Sequence, residues 1–174
     1  TIMSARERTA ATNGYTFKQA KRISLSVPES KIKQALDAIF KADGKLVKTD
    51  FETDRNRGID YYYHLPNGKK LGIDLKVRQN NHRKLVVEYR WYNCEKKAWL
   101  YASQADYFLF VHTNNETYDF YLVKASDLRE LVEQLEPDYD RAWIDVDNLT
   151  AAIMLYYDYD AIKEINKNYE YAQV

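Results

Sequence analysis

The step Pro66-Asn67-Gly68 divides two runs of strand-forming residues, 59–65 and 70–77. Proline presets the entry to a turn and Asn-Gly supplies its tightest part, so the two runs should fold back on each other as a hairpin. This commits the middle of the chain to a sheet and fixes which residues can meet across it. Side chains two apart on a strand share a side. Ile73, Leu75 and Val77 then form a buried face, and Asp74 and Lys76 share the other. Asp60, on the partner run, comes close to Asp74 once the hairpin pairs.

Around the hairpin the pattern alternates between helix and strand. Val27-Pro28-Glu29-Ser30 reads as a helix start, and Ile32, Ala35, Leu36, Ile39 and Phe40 fall on one helical face before Ala42-Asp43-Gly44 stops it. Residues 45–51 and 84–91 read as strands, 99–104 as a short helix, and 106–112 with 118–124 as a second antiparallel pair. Ser126-Asp127 reads as the cap of a helix through Leu135, and Asp147 or Asn148 as the cap of another over 149–157, with 159–168 extending or following it. The fold class expected is α/β or α+β, a mixed central sheet flanked by helices. One domain is expected: a basic N-terminal arm over 1–27, a core over 28–135, and an acidic helical extension over 136–174.

Charge is informative through its distribution. Lys plus Arg equals Asp plus Glu at 26 each, so net charge does not announce a polyanion binder. Residues 1–34 and 69–97 are nevertheless basic, and 136–174 are acidic, so one face can hold a polyanion while the total stays at zero. Cys94 is the single cysteine, which excludes an intrachain disulfide and points to a reducing compartment. With no apolar run near membrane-spanning length and no apolar leader, the expected setting is intracellular and cytoplasmic. The 16 tyrosines suit strand faces and base stacking alike, and at least half of those on strands should be core.

The acids and the lysine carry the only chemistry the sequence argues for. Two carboxylates a few ångströms apart repel unless a cation sits between them, and an oxygen-only ligand set suits Mg²⁺, with Mn²⁺ as a substitute. Such a metal polarises a phosphate and lowers the pKa of a bound water. Lys76 could orient or deprotonate that water, or stabilise the transition state.

In its order of elements the chain resembles the PD-(D/E)XK nuclease superfamily, the restriction endonuclease-like proteins, and in particular its small phage-type members. Asp60 matches the first acid of the motif, with Ile59 where the motif has proline, and Asp74-Leu75-Lys76 matches D/E-x-K. The passage Trp99-Leu100-Tyr101-Ala102-Ser103-Gln104-Ala105-Asp106 before an apolar strand is similar to their helix-to-strand passage. The resemblance spans roughly residues 29–135 and implies a metal-dependent deoxyribonuclease of a bacterial or phage-infected cell. Endonuclease action is favoured over exonuclease action, DNA over RNA, and a homodimer is left open. A non-catalytic nucleic-acid-binding or interaction protein on the same fold, or a ribonuclease, are the alternatives.

Further site residues are separate expectations. Glu29 is a metal ligand or simply a helix-start charge. Glu88 is a further ligand if its strand borders Asp74, and otherwise pairs with Arg78 or Arg90. Asp50 and Asp54 are read as a loop rim. Arg78, Asn80, Asn81, His82, Arg83, Lys84 and Arg90 are the expected nucleic-acid contacts, the basic ones through backbone phosphates.

Overall fold

Pro28 opens helix α1 (Glu29–Phe40), where no helical hydrogen bond requires the N–H it lacks. Glu29 places an acid in the first turn, and Ile32, Ala35 and Leu36 are buried. The computed structural model describes residues 26–78, 83–92, 94–113, 116–145 and 149–174, so the expected arm over 1–27 lies almost wholly outside the described residues.

After α1 come β1 (Lys45–Lys48), the short helix α2 (Phe51–Arg57), β2 (Tyr61–His64) and β3 (Lys70–Arg78). β1, β2 and β3 pair antiparallel in turn, with Tyr61 opposite Ile73 and His64 opposite Lys70 across the expected turn. The chain then leaves the sheet through β4 (Leu85–Trp91) and the single turn α3 (Trp99–Ala102), and returns as β5 (Tyr107–Thr113). β5 lies parallel to β3, with Asp74 beside Phe108 and Lys76 beside Phe110. β6 (Tyr118–Lys124) pairs antiparallel with β5, and helix α4 (Ala125–Gln134) follows it. β7 (Tyr139–Asp145), β8 (Thr150–Tyr157), α5 (Ala161–Glu164) and β9 (Glu170–Gln173) complete the order. The larger sheet runs β1-β2-β3-β5-β6-β9 and the smaller β4-β8-β7, so the protein is an α+β fold with a mixed central sheet.

The larger sheet is apolar on both faces. Ile73, Leu75, Val77, Leu109, Val111 and Leu122 pack under α1 in one core. Phe108, Phe110 and Val123 face the other way, toward Leu128 and Leu131 of α4 and toward Leu85, Val87, Ile153 and Leu155 of the smaller sheet. Asp74 and Lys76 belong to this second face.

The C-terminal third departs from expectation. Residues 150–157 form a strand, not a helix, and 139–145 form a strand that no pattern announced. Ala, Leu and Met in this stretch favour a helix intrinsically, but pairing on both sides with β4 and β7 overrides that weak preference. Residues 136–174 are therefore largely strand, and β9 joins the central sheet. α4 begins at Ala125, ahead of Ser126, and has no side-chain cap because it leaves β6 directly, with the Ala125 N–H bonded to the Asp106 carbonyl. Asp50 and Asp54 lie not on a loop rim but at the cap and within α2: Asp50 accepts the Thr53 N–H at 2.7 Å.

Candidate active site

Asp60 is placed by what surrounds it in the chain. α2 ends at Gly58, whose φ of 65° is a left-handed conformation costly for any residue with a Cβ. Thr49 then grips the turn into β2: its N–H and hydroxyl both reach the Asp60 carbonyl at 3.0 Å. The Asp60 N–H donates to the Ile73 carbonyl at 2.9 Å. The β2–β3 ladder stops at Ile73, so the Leu75 N–H has no strand partner on that side. It donates to Asp60 Oδ2 at 2.6 Å. A side-chain bond to the backbone of β3 therefore holds the first acid against the strand that carries the second.

Asp74 and Lys76 project from the same side of β3, as the two-residue period requires. Asp74 is only 3% exposed, and Lys76 Nζ lies 2.9 Å from its Oδ1. Burial raises the Asp74 carboxyl above its usual range, while the Lys76 charge and the Ser103 hydroxyl pull it down. Burial also pushes Asp60 up to about 8, helped by the Asp74 charge and by the carboxylate of Asp54, with Lys76 opposing. The two acids titrate as a pair. The result is a buried carboxylate paired with a lysine and a second, half-buried carboxylate close by, a charge set that favours taking up either a proton or a cation.

Lys76 is held from its other side by the Trp99 ring, whose centroid lies 4.4 Å from the ammonium. Trp99 rests on Phe108 and Phe110, with centroids 5.0 and 6.4 Å away. Ser103, buried just beyond α3, donates to the Gly58 carbonyl at 3.1 Å and so ties the crossover to the turn that sets Asp60.

Three of these groups had no catalytic-site role in the sequence reading, where Asp54 was a loop-rim residue and Trp99 a candidate for base stacking. Asp54 hydrogen-bonds Asp60, and an Asp50-x-x-Thr53 helix start would have placed it on α2. Trp99 and Ser103 stood in the passage quoted for the resemblance, but nothing in their spacing said which β3 side chains they would meet.

The structure draws Asp60, Asp74 and Lys76 together, and Glu88 stands on a strand that does not border Asp74. Glu29 is exposed on α1, where its charge helps burial push Tyr61 up to about 12. Glu88 stands on β4, which pairs with β8 and not with β3, and its Oε1 accepts from Trp91 Nε1 and the Trp99 N–H, both at 3.0 Å. Among the described residues, no group of three or more His, Cys, Asp or Glu side chains is arranged to hold a metal ion. The donor set that does converge is a carboxylate pair, which suits Mg²⁺, an ion that keeps several waters and takes one or two carboxylates.

Of the expected nucleic-acid contacts, Asn80, Asn81 and His82 lie outside the described residues. Arg78 follows Lys76 on the same side of β3, with weak 3.4 Å bonds to the Val77 and Val86 carbonyls. Arg83 pairs with Asp119 at 2.6 Å, and Lys84 with Asp138 and Asp158 at 2.8 and 2.7 Å. Arg90 is exposed over the Tyr92 ring. Comparison with known protein families, curated proteins and solved structures finds no match to this chain.

Proposed function

We propose that the protein is a Mg²⁺-dependent deoxyribonuclease of restriction endonuclease-like fold, with Asp60 and Asp74 as the acids that hold the cation and Lys76 assisting the attacking water. The observation that carries this reading is the convergence of buried Asp74, half-buried Asp60 and one lysine, with Asp60 raised to about 8 by burial and by the Asp74 charge. The order α1, β1, β2, β3, α3, β5, with β5 parallel to β3, is the succession expected of that superfamily and supports it further.

When bound, Mg²⁺ supplies Lewis acidity toward a phosphate oxygen and a water of lowered pKa. The chain's own contribution is position. Leu75 fixes one oxygen of Asp60 against β3, and Asp54 hydrogen-bonds the same carboxyl. Lys76 is confined between Asp74 and the Trp99 ring, so its N–H groups can orient the attacking water or donate to a developing phosphate charge without prior reorganisation. Arg78 continues the row toward a backbone phosphate.

The test is to incubate the protein with supercoiled plasmid, linear and branched DNA, and RNA, in Mg²⁺ or Mn²⁺, beside Asp74→Ala and Lys76→Ala. DNA cleavage by the wild type that both substitutions abolish is the expected result. Binding without cleavage in either metal would replace the enzyme by a nucleic-acid-binding protein, and cleavage of RNA alone would make it a ribonuclease.

A further inference from the structure

We infer that Glu88 is a positioning residue for Lys76, acting through Trp99; this rests on Lys76 working at the site proposed above. Glu88 lies where β4 loses its register against β8, between Glu88 and Arg90. Such an irregularity re-aims side chains, and here the carboxylate reaches out of the smaller sheet to the crossover that returns to β5. Its Oε1 accepts the Trp99 backbone N–H and the Trp91 indole N–H, both at 3.0 Å.

The Trp99 N–H opens α3 and has no partner within that helix. α3 is four residues long and its N-cap, Ala98, offers no side-chain bond. One turn does not hold its own shape, so the Glu88 carboxylate supplies the bond that Ala98 cannot. Trp99 in turn presents its ring to the Lys76 ammonium at 4.4 Å, and Lys76 meets Asp74 at 2.9 Å. An unbroken line of contacts thus runs from the smaller sheet to the candidate centre. Lys76 has a flexible four-carbon stem, and the ring is what restricts its head on the side away from Asp74. Glu88 belongs to this support, with no place in the carboxylate pair itself.

A purely structural glutamate would change stability alone, so the test reads position. Glu88→Gln keeps an acceptor oxygen for both N–H groups; Glu88→Leu removes it, and Glu88→Asp withdraws it by one methylene. In cleavage assays below each variant's melting temperature, Glu88→Leu and Glu88→Asp should lower kcat on the order of 100-fold, with KM for DNA unchanged, while Glu88→Gln restores it. A second readout needs no reaction. With Trp91→Phe and Trp143→Phe, Trp99 is the only tryptophan, and its quenching by acrylamide should rise severalfold with Glu88→Leu or Glu88→Asp but not with Glu88→Gln. Unchanged quenching, or unchanged kcat in a folded Glu88→Asp protein, overturns the inference. If the wild type cleaves nothing, the nuclease reading falls, and the fluorescence arm still decides whether Glu88 holds Trp99: quenching that rises supports it, and quenching that does not overturns it.

Discussion

Two aspartates are almost wholly buried on the same face of the large sheet, and their surroundings are opposite. Asp119 on β6, 2% exposed, receives donors from three places: the Arg83 guanidinium at 2.6 Å, Gln173 Nε2 at 3.1 Å and the Tyr171 hydroxyl. Asp74 on β3, equally hidden, has Lys76 and Ser103 on one side and the carboxylate of Asp60 close by. A buried charge whose lone pairs are all met is part of the architecture; a buried acid set beside another acid is not at rest. The contrast supports the proposal that Asp74, not Asp119, serves chemistry, on electrostatic grounds independent of the motif.

The strongest way to break this contrast is to remove each acid. Asp74→Asn should abolish metal-dependent cleavage and leave the melting temperature unchanged or raised, because a disfavoured buried charge is gone. Asp119→Ala should do the reverse. It strands Arg83, Gln173 and Tyr171, costs about 2 kcal/mol given the partial exposure of Arg83, and leaves cleavage by the folded protein in place. Thermal denaturation beside a plasmid assay reads both; a stable Asp119→Ala protein would collapse the distinction.

The pH dependence of stability comes next. Asp60 is shifted from an ordinary 3.8 to about 8. Between those values the folded state binds a proton that the unfolded state does not, so in chelator stability should fall as pH rises from about 4 to about 8. If the proposed site binds Mg²⁺, the ion should offset that loss, and its stabilising effect should grow with pH over the same interval. Asp60→Asn should flatten the slope in calorimetric scans, and a slope that survives the substitution assigns it elsewhere.

The smallest effect separates the arginines. Arg90→Ala should lower the salt dependence of DNA binding, the slope of log K against log salt, by about one. Arg83, already paired with Asp119, should leave that slope unchanged when replaced and register in stability instead. Fluorescence titrations at several salt concentrations distinguish the two.

How far the sequence disclosed this arrangement depends on the range of the interactions involved. The hairpin, the α1 face and the nearness of Asp60 to Asp74 follow from local rules: a turn sets the register, and a two-residue period sets the side. β7 and β8 escaped because Ala152, Met154 and Leu155 have no strand signature of their own and become strand only through β4, some sixty residues earlier. Asp54 escaped because α2 buries none of its residues and so leaves no apolar stripe; only its cap betrays it. The separation of Glu88 from Asp74 could not be read either, since nothing local says that β4 leaves the sheet to which β3 belongs.

The parallel pairing of β3 with β5 also orders events in time. The hairpin that brings Asp60 to Asp74 closes over the five residues 65–69 and belongs to the microsecond class of folding events. β5 can dock on β3 only after the whole of residues 79–106 has been looped out, a later and slower step. During refolding the two acids should therefore meet before Lys76 acquires its aromatic partner. A chain stalled at that stage holds the carboxylates without the constraint on the lysine, so catalytic competence should return after hairpin structure, not with it.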